Sequence, residues 1–154
     1  MKYQPLPSSF YIKNREKLVK KLPPKSLCIF HANDIMPTNA DGTMRFRQNN
    51  DLFYLSGIDQ EETILLVCPD FPDPAMREVL FLRETSEHIA IWEGHKYTME
   101  EALEASGIQN IKWLKDFDKT LHTVMALSEQ VFLNSNEHLR ADIHVETRDA
   151  RVIR

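Results

Sequence analysis

Glycine is scarce: the 154-residue chain has four, Gly42, Gly57, Gly94 and Gly107, one per predicted turn or cap. Phosphate-cradling loops need clustered glycines for close backbone approach, so P-loop and dinucleotide-binding readings fail. Cysteine is scarcer still. Cys28 and Cys68 each fall in an apolar run predicted to be a buried strand. They read as small core fillers in a reducing compartment, not as a disulfide framework. No HExxH or CxxC spacing occurs among the six histidines and two cysteines. His144-Val145-Glu146 has the H-x-E spacing of zinc deaminases, but the Pro-Cys-x-x-Cys partner is missing. No Gly-x-Ser-x-Gly elbow is present. No apolar run reaches the length of a membrane span, and the N-terminus shows no signal-peptide pattern, so a cytoplasmic protein with no membrane partner is expected. The net charge of −4 argues against nucleic acid as a partner.

What remains is an ordinary globular composition, 42% hydrophobic and 27% charged, at a length that suits one domain. Around Tyr11, Leu18 and Leu22 the spacing predicts a helix capped by Ser8 or Ser9, with Ile12 and Val19 on the apolar side. Lys13, Lys17, Lys20 and Lys21 form its solvated side, and Pro23-Pro24 stops it. Leu27–Phe30 reads as a short strand and Ala32–Thr43 as a loop. Leu52–Leu55 is a continuous apolar run too short for a helix and reads as a buried strand between Asn49-Asn50-Asp51 and Ser56-Gly57. It is expected to return antiparallel to a strand at Thr63–Cys68, and Glu78–Leu82 follows as another. The connections are too short for helical crossovers, which predicts an antiparallel meander. His88–Trp92 is a candidate fourth strand.

The period changes in the second half. Thr98-Met99-Glu100-Glu101 is a capping box, with Met99, Ala102 and Leu103 facing inward and Gly107 closing the helix. Strands are predicted at Ile111–Leu114 and Val131–Leu133. Between them a helix capped by Asp116 carries Phe117, Leu121, Val124 and Ser128 in register. Alternating strands and helices imply some parallel pairing. The fold class is therefore α/β, a mixed sheet with an antiparallel meander and flanking helices. From Asn134 onward the pattern decays into alternating charge, which sets residues 1–135 apart as a domain and leaves 136–154 as a remainder. No repeat or low-complexity tract is visible.

The stretch FRQNNDLFYLSG, Phe46–Gly57, resembles the signature of the N-terminal domain of Xaa-Pro aminopeptidases (aminopeptidase P). Phe10–Leu22 resembles that family's opening helix, Asn39-Ala40-Asp41 the loop before the signature, and Ile91-Trp92-Glu93-Gly94 its Ile-Trp-x-Gly corner. Asn50 stands where serine is common, and Leu52-Phe53 where a Phe-Trp pair is common. The resemblance implies a ribonuclease-H-like N-terminal domain that binds no metal itself. It implies a C-terminal catalytic domain, holding a dinuclear manganese centre, as partner in the same protein. It also implies a homo-oligomer, dimer or tetramer, and a proline-containing peptide substrate cleaved at the Xaa-Pro bond. Trp92, Asp41 and Arg47 match positions at the rim of the substrate pocket in the assembled enzyme. Creatinase and prolidase share the two-domain plan, but the signature favours aminopeptidase P. The alternative is a free-standing α/β interaction module without peptidase activity. From the residues alone, Asp41 and Arg47 read as an ion pair holding the loop and Trp92 as core or anchor.

Overall fold

A computed structural model describes residues 5–40, 42–86 and 94–134. Strands β1 (Ser26–His31), β2 (Ile64–Val67) and β3 (Glu78–Leu82) form the meander, β1 antiparallel to β2 and β2 to β3. Two further strands, β4 (Asn110–Trp113) and β5 (Gln130–Leu133), add in parallel to β3 and β1, giving the order β4-β3-β2-β1-β5. The expected mixed α/β sheet is present.

Helices cover both faces. Alternate residues of the strands point oppositely. Cys28, Leu65, Val67, Leu80 and Leu82 face one cluster with Leu52, Leu55, Ala102 and Ile108. Leu27, Ile29, Leu66, Val79 and Phe81 face the other, with Val124. Burial on both faces is why these strands read as unbroken apolar runs. The first face carries α1 (Ser8–Val19), α2 (Asn50–Ser56) and α3 (Met99–Ser106); the second carries α4 (Phe117–Met125). The two cysteines are free, buried and on opposite clusters. Burial, with Cys68 nearby, pushes the Cys28 thiol up to about 11.

The signature run is a helix, not a strand, so the meander enters β2 from β1 rather than from Leu52–Leu55. Its ends explain the change. The Asn49 side chain accepts from the Asp51 and Leu52 amides, and Gly57 closes the helix at φ 74°. Leu52, Leu55 and Ser56 are buried while Tyr54 is exposed, a helical spacing hidden inside a wholly apolar run.

Three helix details also differ from expectation. The α1 cap position is Pro7, whose φ of −64° already suits a helix start; Ser8 begins the helix and no side chain caps it. Its buried stripe is Tyr11, Asn14 and Arg15, with Ile12 exposed. On α3 the capping box and Gly107 closure are as expected, but Leu103 is exposed and Ser106 takes the buried position with Ala102.

The burial of Arg15 and Asn14 has a cause. Helices α2 and α3 both end in Ser-Gly-Ile, at Ser56–Ile58 and Ser106–Ile108. Each serine hydroxyl donates to the carbonyl four residues back, Leu52 at 2.8 Å and Ala102 at 2.6 Å. Each also accepts from the isoleucine amide, at 3.2 and 3.1 Å. The two ends still present orphan carbonyls. One Arg15 nitrogen, Nη1, donates to Leu55 O at 2.7 Å and Ser106 O at 3.0 Å, while Nε donates to Glu78 Oε2 at 2.9 Å. Asn14 Nδ2 donates to Tyr54 O at 2.9 Å. Helix α1 is thus laid across the negative ends of two helices and tied to β3.

Candidate functional site

The loop between β1 and α2, the turn after Gly57 and residues 94–98 meet at one end of the sheet. Gln48 organises that meeting. Its Nε2 donates to Ile58 O at 3.1 Å and Gln60 O at 2.7 Å, and its Oε1 accepts from Asn49 N at 2.8 Å. Buried Gln60 accepts the Tyr97 amide on Oε1 at 2.7 Å, which fixes the orientation of its own amide. Its Nε2 has no hydrogen-bond partner among the described residues. Beside it Glu61 and Lys96 form an ion pair whose side chains are only 10% and 12% exposed. Lys25, Ala40 and Glu62 hold positive φ without being glycine, and the last two lie in this end's loops.

Two clefts open here and share Glu61. The larger, about 610 Å³, is lined by His31, Asn33, Asp34, Glu62, Thr63 and their neighbours. The smaller, about 380 Å³, lies among Arg45, Phe46, Asp59, Gln60 and Tyr97. Burial pushes the Glu61 carboxyl up. The Lys96 hydrogen bond, a backbone hydrogen bond and the charges of Lys96 and Arg83 outweigh it, leaving the group below the usual carboxylate range. A depressed carboxyl stabilises the fold above its unfolded pKa, and this contribution is lost as pH falls through the folded value. Glu61→Gln should therefore cost roughly 1.5–3 kcal/mol at pH 7. The gap to the parent chain should close toward pH 3. Urea unfolding at both pH values checks this; a gap independent of pH would show that ionised Glu61 contributes nothing.

Of the three sequence-predicted rim residues, Arg47 alone lies among the described residues. It is exposed, and its carbonyl accepts from Asn33 Nδ2 at 3.0 Å. The fixed polar network of this stretch belongs to Gln48, the next residue. Asp41 and Trp92 lie outside the described residues, as do the candidate strand His88–Trp92 and the remainder 136–154. Among the described residues no group of three or more His, Cys, Asp or Glu is placed to hold a metal ion. No described helix is long and apolar enough to cross a membrane.

The family described as "Aminopeptidase P, N-terminal domain" matches residues 11–132, from α1 through β5. The chain belongs to this family. Xaa-Pro aminopeptidase of Escherichia coli K12 is 24% identical over 135 residues, which are 88% of this chain and 30% of that protein. Intermediate cleaving peptidase 55 of Saccharomyces cerevisiae is 27% identical over 130 residues, 80% of this chain and 24% of that one. The solved structure of Pseudomonas aeruginosa aminopeptidase PepP shares the fold, with a TM-score of 0.78 at 23% identity over 97% of this chain and 32% of its own. The chain thus spans about a third or less of each of these relatives, and in them the family's N-terminal domain is joined to a larger C-terminal part.

The sequence signals for this end were uneven. Gln48 sits inside the signature, but its partners are main-chain carbonyls. Glu61 and Lys96 are 35 residues apart and share no local pattern.

Proposed function

We propose that this chain is the non-catalytic N-terminal domain of a metal-dependent Xaa-Pro aminopeptidase. The carrying observation is the match over residues 11–132 by a chain that spans about a third of its Xaa-Pro aminopeptidase relative. In this reading a C-terminal catalytic domain holds the dinuclear manganese and hydrolyses the N-terminal Xaa-Pro bond. The N-terminal domain supports a cytoplasmic homo-oligomer and borders the pocket. Asp41, Arg47 and Trp92 lie at that rim, with Gln48 and the Glu61–Lys96 pair as the rigid base beneath the loops that carry Asp41 and Arg47.

The test is hydrolysis of an Xaa-Pro peptide by the chain alone and by the protein with its C-terminal part, with metal analysis of both. Activity and metal are expected only in the second. One tightly held equivalent of metal in the chain alone, or an inactive complete protein, would overturn the reading; the latter would favour an interaction module. In the complete enzyme, Trp92→Ala should lower kcat/KM by about tenfold or more, the loss expected of a truncated aromatic anchor. Metal content should stay unchanged. An unaltered kcat/KM would remove Trp92 from the rim.

A further inference from the structure

The two edges of the sheet are finished differently. On β4 every residue is half-buried, and the edge carries a lysine. Lys112 Nζ donates to Thr120 at 3.3 Å, and Asn110 Nδ2 ties the strand to Ala75 O at 2.6 Å. Such charges and side contacts are how proteins blunt an edge. The other edge, β5, reads Gln-Val-Phe-Leu, and all four residues are exposed. Val131 is 45% exposed, Phe132 40% and Leu133 67%. Register places Val131 and Leu133 opposite Leu27 and Ile29, on the α4 face, and Phe132 opposite Cys28, on the other. Among the described residues, nothing covers the strand on either face or pairs with its outer backbone. Met125 and Leu127, just before it in the chain, are exposed as well.

We propose that the open edge and both faces of β5 are the surface on which the protein's larger C-terminal part docks, pairing with the outer backbone of this strand. The proposal rests on the reading of this chain as an N-terminal domain. The family match ends at residue 132, within β5, and described chain leaves the sheet at Asn134. In these relatives two-thirds or more of the protein lies outside the matched part. On that reading a part joined through residues 135–154 has a high effective concentration at the neighbouring edge, which a second copy lacks. An edge pairs through main-chain hydrogen bonds, while flanking apolar side chains fix register and orientation. β5 offers both and carries no charge to oppose them.

The experiment is amide-resolved hydrogen exchange on the protein with its C-terminal part, diluted until it is monomeric, with Xaa-Pro hydrolysis measured on the same preparation. The outward-pointing amides of residues 130–133 should exchange at least about tenfold more slowly than those of the loop at 32–36. Leu133→Asp should abolish that protection while the β1–β2 pairing stays protected. Outward amides exchanging as fast as the loop would overturn the proposal. So would protection that disappears on dilution, which would assign the edge to a second copy, or protection that survives Leu133→Asp. An active enzyme with fast β5 exchange would sink this surface alone, whereas an inactive protein with slow exchange would sink the peptidase reading alone.

Discussion

Replacing Arg15 with methionine should cost the fold about 2–5 kcal/mol, because it leaves two buried carbonyls without their donor at roughly 1–3 kcal/mol each. Methionine keeps most of the apolar stem, so the loss reads chiefly the guanidinium. Arg15 is 1% exposed. Without it the Leu55 and Ser106 carbonyls at two helix ends lose their donor, and Glu78 loses its cation. Glu78 is 34% exposed and can recruit water, so the two carbonyls should carry most of the cost. Arg15→Lys should recover only part of it, because one ammonium cannot reproduce a planar fork aimed at three acceptors. Adding Glu78→Gln to Arg15→Met should return little for the same reason. Urea midpoints at unchanged m-value check this against Lys17→Ala, whose exposed site should stay within about 0.5 kcal/mol. Equal midpoints for the Arg15→Met and Lys17→Ala chains would show that α1 is held by its apolar contacts alone.

The sheet was legible because its chemistry is one-sided. Residues buried on both faces must be apolar, so β2 and β3 stand out as uninterrupted runs, Ile64–Val67 and Glu78–Leu82. The α3 start was legible because a capping box needs particular side chains at fixed spacing, Thr98 and Glu101. Helix α1 was legible as a helix but its buried stripe was not, since two of its three buried positions are Asn14 and Arg15, which a hydrophobic period ranks as surface. Helix α2 was misread because Leu52–Leu55 is apolar on every face. Only the pair of ends, Asn49 and Gly57, marks it as helical. The recurrence of Ser-Gly-Ile, which marks both helix ends that Arg15 binds, was passed over.

The site was less legible than the fold. Resemblance to the family selected Asp41, Arg47 and Trp92; residue chemistry alone gave an ion pair and an aromatic. Gln48 carries more of the loop's geometry than Arg47, yet its acceptors, Ile58 O and Gln60 O, are backbone atoms that any residue would supply. The Glu61–Lys96 pair joins the turn after α2 to the segment before α3, a contact that only the folded topology creates.

Gly57→Ala should be the second large loss, about 2–5 kcal/mol, from two separable sources. The residue sits at φ 74°, and a side chain in that left-handed region costs roughly 1–2 kcal/mol. The added Cβ would also lie 2.5 Å from Cε2 of the Tyr11 ring, an overpacking of the kind that costs about 1–3 kcal/mol. Tyr11 is itself buried in α1, four residues before Arg15, so the ring cannot swing clear without lifting the helix from the α2 terminus. Gly57→Asn separates the two sources, because asparagine tolerates the left-handed region but still carries a Cβ. It should lose nearly as much as alanine if the Tyr11 contact dominates, and clearly less if backbone strain does. Gly107→Ala is a parallel case at the other helix end, where φ is 73° and the new Cβ would meet Ile12 Cδ1 at 2.7 Å. Ile12 is exposed, so its chain end has open space to turn into and Gly107→Ala should cost less than Gly57→Ala. Thermal and urea unfolding of the three variants settles the order. Equal losses at Gly57 and Gly107 would mean that the Tyr11 ring gives way, and that α1 sits on these two helix ends more loosely than its hydrogen bonds to them imply.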